Sequence, residues 1–342
     1  MNGAISAAEM AGGPGPVPMV GLWRGGRLES LHSGHAVVCD AGGIVECWGD
    51  AGAVIYPRSS CKMLQALPLV ESGAADAAGL TDRQLALACA SHQGAALHVG
   101  AVQDWLANLG LGESDLRCGA HEPYDRAERD RLIRAGTAPC QCHNNCSGKH
   151  VGMLTATRHL RAGPDYVAPD HPLQTEIRAA FEQVTGEPSP GYGIDGCSAP
   201  NFATSLAGLG RAMAFFATAR DGGGRRETAA VRLTRAMAAH PEMVAGEGRA
   251  CTELMRAMGG RVAIKTGAEG VFVAIAPDKG LGMAVKITDG AGRAAEAVIA
   301  ALLVRHGLAD AAHPAVIRRL APVQRNWRGL ETGILQLVPG FL

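Results

Sequence analysis

Between Met19 and Trp48 the apolar residues fall into short runs divided by turn signals. Met19 to Trp23 ends at Arg24-Gly25-Gly26, His35 to Asp40 ends at Ala41-Gly42-Gly43, and Ile44 to Trp48 follows. Short apolar runs separated by glycine turns predict antiparallel strands joined by hairpins. Ala53 to Pro57 reads as one more short extended piece. Ser59 and Ser60 then predict the cap of a helix that runs from Cys61 to Gly73, with apolar positions three and four apart and a kink at Pro68.

From about residue 81 to 255 the period lengthens, and helices are expected near 82–90, 95–109, 126–134, 148–161, 172–185, 201–219, 226–239 and 251–258. The loops 137–149 and 190–200 interrupt them and concentrate Cys, His, Asn and Gly. The strand pattern returns at 261–265, 270–276 and 281–287, with Asp278-Lys279-Gly280 as a hairpin turn. An Ala-rich amphipathic helix at 292–306 and an alternating strand at 331–338 close the chain. Strands at both ends with helices between predict an α+β fold: an antiparallel sheet of N- and C-terminal strands with flanking helices, beside a central, mostly helical lobe. The expected organisation is a flexible tail at 1–18 and a single domain at 19–342, with a sheet part at 19–58 and 260–342 and a helical lobe at 59–259. The active site is expected in the seam.

Composition narrows the classes of function. With 342 residues the chain buries a large core without disulfides. Lys+Arg and Asp+Glu are 32 each, so no basic field exists to hold a nucleic acid or an anionic membrane. No apolar run reaches the roughly 20 residues of a membrane span. The Gly/Pro/Ala-rich N-terminus lacks the features of a signal peptide, so a cytoplasmic location with ten reduced cysteines is expected. Lysine is scarce: of 32 basic residues only Lys62, Lys149, Lys265, Lys279 and Lys286 are lysine. Arginine does not readily give up its proton, so the surviving lysines are candidates for ammonium chemistry.

Ser59-Ser60-Cys61-Lys62 sets a serine three residues before a lysine, on one face of a helix start. A neutral lysine there can take the serine proton. The same spacing also suits a capping serine and a surface lysine. Lys265-Thr266-Gly267 ends a predicted strand, and S-x-x-K with K-T-G marks the serine penicilloyl hydrolases and their relatives. In that arrangement Lys265 is expected near Lys62, lowering its pKa by like-charge repulsion. Ser91-His92-Gln93, after an apolar helix, stands where those enzymes carry Ser-x-Asn and offers a hydroxyl between the two lysines, or an ordinary helix-to-loop cap. Around 140–150, Cys140-Gln141-Cys142 and Cys146-Ser147-Gly148-Lys149-His150 lack paired C-x-x-C, against a structural zinc finger. Cys146, Lys149 and Cys197 could close a three-ligand site in which thiolate sulfur favours zinc, or simply line a tight buried loop.

Together these segments resemble the bacterial asparaginase II family, the thermolabile Rhizobium-type L-asparaginases of the serine penicilloyl-hydrolase, glutaminase-like and serine β-lactamase-like structural class. The resemblance runs from about Met19 to Val338 through RGGRLES, IYPRSSCKMLQALPLVESGAAD, ACASHQG, HNNCSGKHVGML, YGIDGCSAPNF, KTGAEGVF and NWRGLETG. It implies that Ser59 is the nucleophile, Lys62 its base, Ser91 the relay hydroxyl and Lys265 the second lysine. It implies metal positions at Cys146, Lys149 and Cys197, with His150 and Asp195 beside them at the substrate. Arg58, next to the nucleophile, has the charge to meet a substrate carboxylate. The expected activity is hydrolysis of L-asparagine to aspartate and ammonia through an acyl-enzyme, in a homodimer with zinc near the substrate. The alternative is a glutaminase or penicillin-type acyl hydrolase on the same scaffold. Cys140 and Cys142 stand outside the pattern that carries the resemblance.

Overall fold

The computed structural model of the protein describes residues 14–342. Its main sheet is antiparallel and has eight strands: β1 (Val17–Arg24), β2 (Arg27–Asp40), β3 (Gly43–Trp48), β4 (Ala263–Thr266), β5 (Val271–Ala276), β6 (Leu281–Ile287), β7 (Val323–Arg325) and β8 (Glu331–Leu337). The order is β7-β8-β1-β2-β6-β5-β4, with β3 beside the C-terminal half of β2. Both ends of the chain thus build one sheet, as the pattern of apolar runs predicts, and the helices between 62 and 257 lie between them in sequence.

The strand β2 is 14 residues long and begins at Arg27, well before the apolar run at His35. Its first five residues are mostly exposed, so the ladder to β1 forms there without an apolar signal. β1 begins at Val17, so Val17 and Pro18 belong to the sheet rather than to the expected tail, while 1–13 lie outside the described residues. The short edge strand β7 had no counterpart in the sequence pattern.

Every residue from Val271 to Ala276 is buried, so both faces of β5 are covered. The helix Gly292–Arg305 supplies one cover, as expected of the terminal helix. The other is the helix Leu206–Thr218, which packs on β2, β5 and β6 instead of standing apart in the lobe. Gly282 permits that approach, because a Cβ there would collide with the backbone of Met213 and Ala214. The helix is also shorter than the expected 201–219. Residues Pro200–Phe202 pair with Tyr192–Ile194, and Thr204–Ser205 pair with Val54–Ile55.

At the S-x-x-K segment the local structure differs from a serine-capped helix. Arg58–Cys61 form a 3-10 turn whose cap is Pro57, and Lys62–Gln65 continue it as α-helix. Neither serine caps a helix: the buried Ser60 hydroxyl donates to the Pro57 carbonyl at 2.7 Å. Pro68 does break the helix, standing at the start of a second segment, Leu67–Glu71.

Candidate active site

The 3-10 turn leaves Ser59 half-buried at the mouth of a cleft of about 270 Å³, lined also by Ser91, Tyr124, Asn145, Arg249, Thr266, Gly267 and Ala268. The K-T-G end of β4 therefore meets the S-x-x-K turn, although some 200 residues separate them in the chain. Gly267 makes that meeting possible, since a Cβ there would lie 2.7 Å from the Pro57 carbonyl oxygen. Arg58, which opens the 3-10 turn, and Ser198 and Glu269, on loops around this seam, hold positive φ of 52°, 69° and 58°. Such backbone costs about 1–3 kcal/mol each and persists where surrounding contacts overdetermine it.

Lys265 is fully buried, and its ammonium donates to Ser91 Oγ at 2.8 Å and to the Thr266 carbonyl at 2.7 Å. Ser91 is held there because the helix Asp82–Ala88, opened by a Thr81–Gln84 capping box, ends just before it, and its N–H donates to the Val244 carbonyl. Burial, then the charge of Lys62, brings Lys265 from its ordinary 10.5 down to about 7. The like-charge repulsion expected between the two lysines is present, and its effect falls on Lys265. Lys62 Nζ, equally buried, donates to the carbonyls of Ala90 and Asn145 and to Cys146 Sγ at 3.1 Å. It makes no hydrogen bond to Ser59, whose hydroxyl has no partner among the described residues.

Gln93, in the place of the expected asparagine, turns away from the lysines. Its side chain donates to Asp125 Oδ2 at 3.1 Å, and its carbonyl accepts from the Asp125 N–H. The effect is to fasten the segment that places Tyr124 over the cleft.

Behind Lys62 lies a buried sulfur cluster. Lys149 Nζ donates to Cys197 Sγ at 3.0 Å, and Cys146, the residue before the Ser147–His159 helix, stands beside the same sulfur and donates to Asn145 Oδ1 at 3.3 Å. The neighbouring Cys146 thiol and the Lys149 charge hold the Cys197 thiol well below its ordinary range. The Cys197 sulfur and burial push Cys146 up. Burial alone would lower Lys149, but the Cys197 and Cys146 sulfurs outweigh it and raise it. His150 is fully buried, with Nδ1 2.8 Å from the Tyr166 hydroxyl and Nε2 without a hydrogen-bond partner. Cys146, Lys149 and Cys197 are thus brought together. Among the described residues, no group of three His, Cys, Asp or Glu side chains is placed to hold a metal ion.

The three expected substrate contacts, Arg58, Asp195 and His150, stand between the Ser59 turn and the sulfur cluster. Arg58 Nη2 and Nε reach Asp195 Oδ1 at 2.8 and 3.3 Å, so the two form an ion pair beside the cleft. Burial would raise Asp195, but the Arg58 bond holds its carboxyl below the usual range. His150 faces the sulfur cluster. Tyr124 and Arg249, which line the cleft, had no signal in the sequence. Cys140 Sγ lies 3.2 Å from His143 Nδ1, and burial pushes Cys142 up to about 12; both stand in the loop ahead of Cys146, outside the cleft lining.

One prediction follows from Lys265. If its neutral amine takes part in proton transfer, kcat/KM should climb roughly tenfold per pH unit below about pH 7 and level off above it. A pH–rate profile flat from about pH 5.5 to 8 would remove Lys265 from the proton path. The stability sign agrees: the folded protein binds fewer protons than the unfolded chain between about 7 and 10.5, so this group's contribution falls as pH drops through that window.

Among solved structures, a beta-lactamase (Mb2281c) from Mycobacterium bovis is similar at 14% identity over 80% of this chain and 94% of that chain, with a TM-score of 0.37. A structure of Mglu is similar at 14% identity over 81% and 67% of the two chains, with a TM-score of 0.45. No curated protein matches the chain. The family model for L-asparaginase II spans residues 20–337, from β1 through the S-x-x-K turn, the sulfur cluster and K-T-G to β8, and the chain belongs to that family.

Proposed function

We propose that the protein hydrolyses L-asparagine to L-aspartate and ammonia, with Ser59 as nucleophile. Family membership makes it an amidohydrolase-type enzyme acting on a small-molecule amide. The observation that carries the finer reading is the convergence of Ser59, Ser91 and the K-T-G strand end on one cleft, with a buried Lys265 bonded to Ser91 and poised near neutrality. The cleft, at about 270 Å³, lies at the small end of ligand clefts, which run about 300–1,000 Å³.

In this mechanism Ser59 Oγ attacks the side-chain carboxamide carbon, and Lys62 takes the hydroxyl proton and returns it to the departing ammonia. Water then attacks the aspartyl ester on Ser59 and releases aspartate. Ser91 and Lys265 relay protons in both halves, Ser91 Oγ standing as the shared hydroxyl. Arg58 and Asp195 brace each other and keep the strained residue before Ser59 in place. The test is ammonia release from L-asparagine by the purified protein, with an aspartyl adduct on Ser59 sought by mass spectrometry. Turnover of glutamine or penicillin with none of asparagine would move the substrate to the alternative acyl hydrolases.

The sulfur cluster fits zinc in its chemistry once Lys149 gives up a proton to become an amine ligand: two cysteine sulfurs and its nitrogen converge, and the buried His150 Nε2 beside them lacks a partner. Cys146, Lys149 and Cys197 would hold the ion, with His150 and Asp195 beside it. Bound zinc would supply an anchor for the amino-acid end of the substrate. About one zinc per chain is expected by elemental analysis, and chelator-treated protein should show an apparent KM that rises more than kcat falls. Metal-free protein with unchanged KM in Cys146→Ala and Cys197→Ala would overturn the metal role. The reading also places the enzyme in a reducing cytoplasm, which suits its ten free thiols, and as a homodimer, the commonest closed assembly.

A further inference from the structure

Recognition of a free α-carboxylate inside a cleft calls for a cation whose donors are not already taken, and arginine's fork matches a carboxylate with two parallel bonds. Arg58 has the charge and the position in sequence, but Asp195 occupies its Nη2 and Nε. The cleft has a second arginine. Arg249 lines it together with Ser59 and Ser91, and is half-buried there.

Arg249 stands immediately before the helix Ala250–Ala257, its N–H bonded to the Gly246 carbonyl and its own carbonyl accepting from Glu253. Its guanidinium makes no hydrogen bond and no ion pair with any described residue. The carboxylates nearest in sequence are committed elsewhere. Glu253 holds Arg318 at 3.0 Å and Arg319 at 2.8 Å, and Glu247 holds Arg256 through bonds of 2.6 and 2.7 Å. In a chain whose arginines are so often paired, a guanidinium left open toward the cleft of the candidate nucleophile is an unmatched positive charge. It is close enough to Lys265 to oppose that lysine's protonation.

We infer that Arg249 is the carboxylate receptor of the site, and that the substrates are short amides carrying a free α-carboxylate. The inference rests on the amidase reading above and assigns to Arg249 the contact expected of Arg58. It also sets a specificity: asparagine whose α-carboxylate is blocked leaves Arg249 unmatched and is a poor substrate.

The experiment compares kcat/KM on L-asparagine and on its α-carboxamide, aspartic acid diamide, for wild type, Arg249→Gln and Arg249→Lys. Wild type should prefer asparagine by about 100-fold, the scale of losing one partner of a buried charged pair. Arg249→Gln should lower kcat/KM on asparagine by about that factor, chiefly through KM, and leave the diamide within about threefold; Arg249→Lys should keep part of the preference. A changed Lys265 titration would slow both substrates together, so the ratio isolates the carboxylate contact. A wild type without preference, or a preference that survives Arg249→Gln, overturns the assignment. Calorimetric binding of L-aspartate to Ser59→Ala protein gives a readout independent of turnover. Adding Arg249→Gln should weaken it at least tenfold, and unchanged affinity overturns the assignment. Wild-type protein that hydrolyses neither amide, together with Arg249-dependent aspartate binding, would discard the amidase reading and keep the receptor.

Discussion

Ser59→Ala should abolish ammonia release from asparagine, by roughly 10⁴- to 10⁶-fold in kcat, the scale seen when a serine nucleophile is removed. The fold should be untouched. The Ser59 hydroxyl has no hydrogen-bond partner among the described residues, and its side chain stands at the edge of the cleft rather than in the core. The neighbouring serine provides the control. Ser60 is fully buried and its hydroxyl donates to Pro57, so Ser60→Ala should cost about 1 kcal/mol of stability and leave kcat within a few-fold. Thermal melting and initial rates on both variants separate the two roles. Equal losses of activity, or more than a trace left in Ser59→Ala, would take the nucleophile away from Ser59.

The second large effect is expected at Lys62. Its side-chain nitrogen sits in a buried slot between the Ala90 and Asn145 carbonyls and Cys146 Sγ, and is the basic group three residues from Ser59. Lys62→Arg keeps the charge but offers no base at neutral pH, so kcat should fall by about 10²- to 10⁴-fold, the usual worth of a positioned base. The larger guanidinium also has to fit a slot built for one nitrogen. Lys62→Met, which removes charge and base while keeping an unbranched side chain, should fall at least as far with little change in melting temperature. Near-normal rates in Lys62→Arg would reduce Lys62 to an electrostatic role and pass the base to the Ser91–Lys265 pair.

These expectations draw on parts of the site that were unevenly visible in the chain. The S-x-x-K and K-T-G segments were legible because lysine is rare here and both motifs carry it at fixed spacing. Cys146, Lys149 and Cys197 were candidates on side-chain chemistry and on the family resemblance, and the structure gathers them. Arg249 gave no signal: it is one arginine among many, and its place in the cleft lining, with Glu247 and Glu253 paired to other arginines, singles it out. The Arg58–Asp195 pair spans 137 positions, and no local pattern reports a contact at that range. The exposed first half of β2 and the helix Leu206–Thr218 on the sheet were missed because their state follows from partners far along the chain.

By itself the sequence determined the α+β class, the joining of its two ends in one sheet, and the chemical kind of each site residue. Those follow from hydrophobic period, turn residues and side-chain chemistry, which are local. Tertiary structure alone decided which lysine is poised near neutrality, which arginine of the cleft lining has no partner among the described residues, and that Ser59 rather than Ser60 faces the cleft. Each of these depends on burial and on neighbours. Lys265 is lowered to about 7 because the sheet end carries it out of water and Lys62 stands nearby, and neither fact is written in the residues around it.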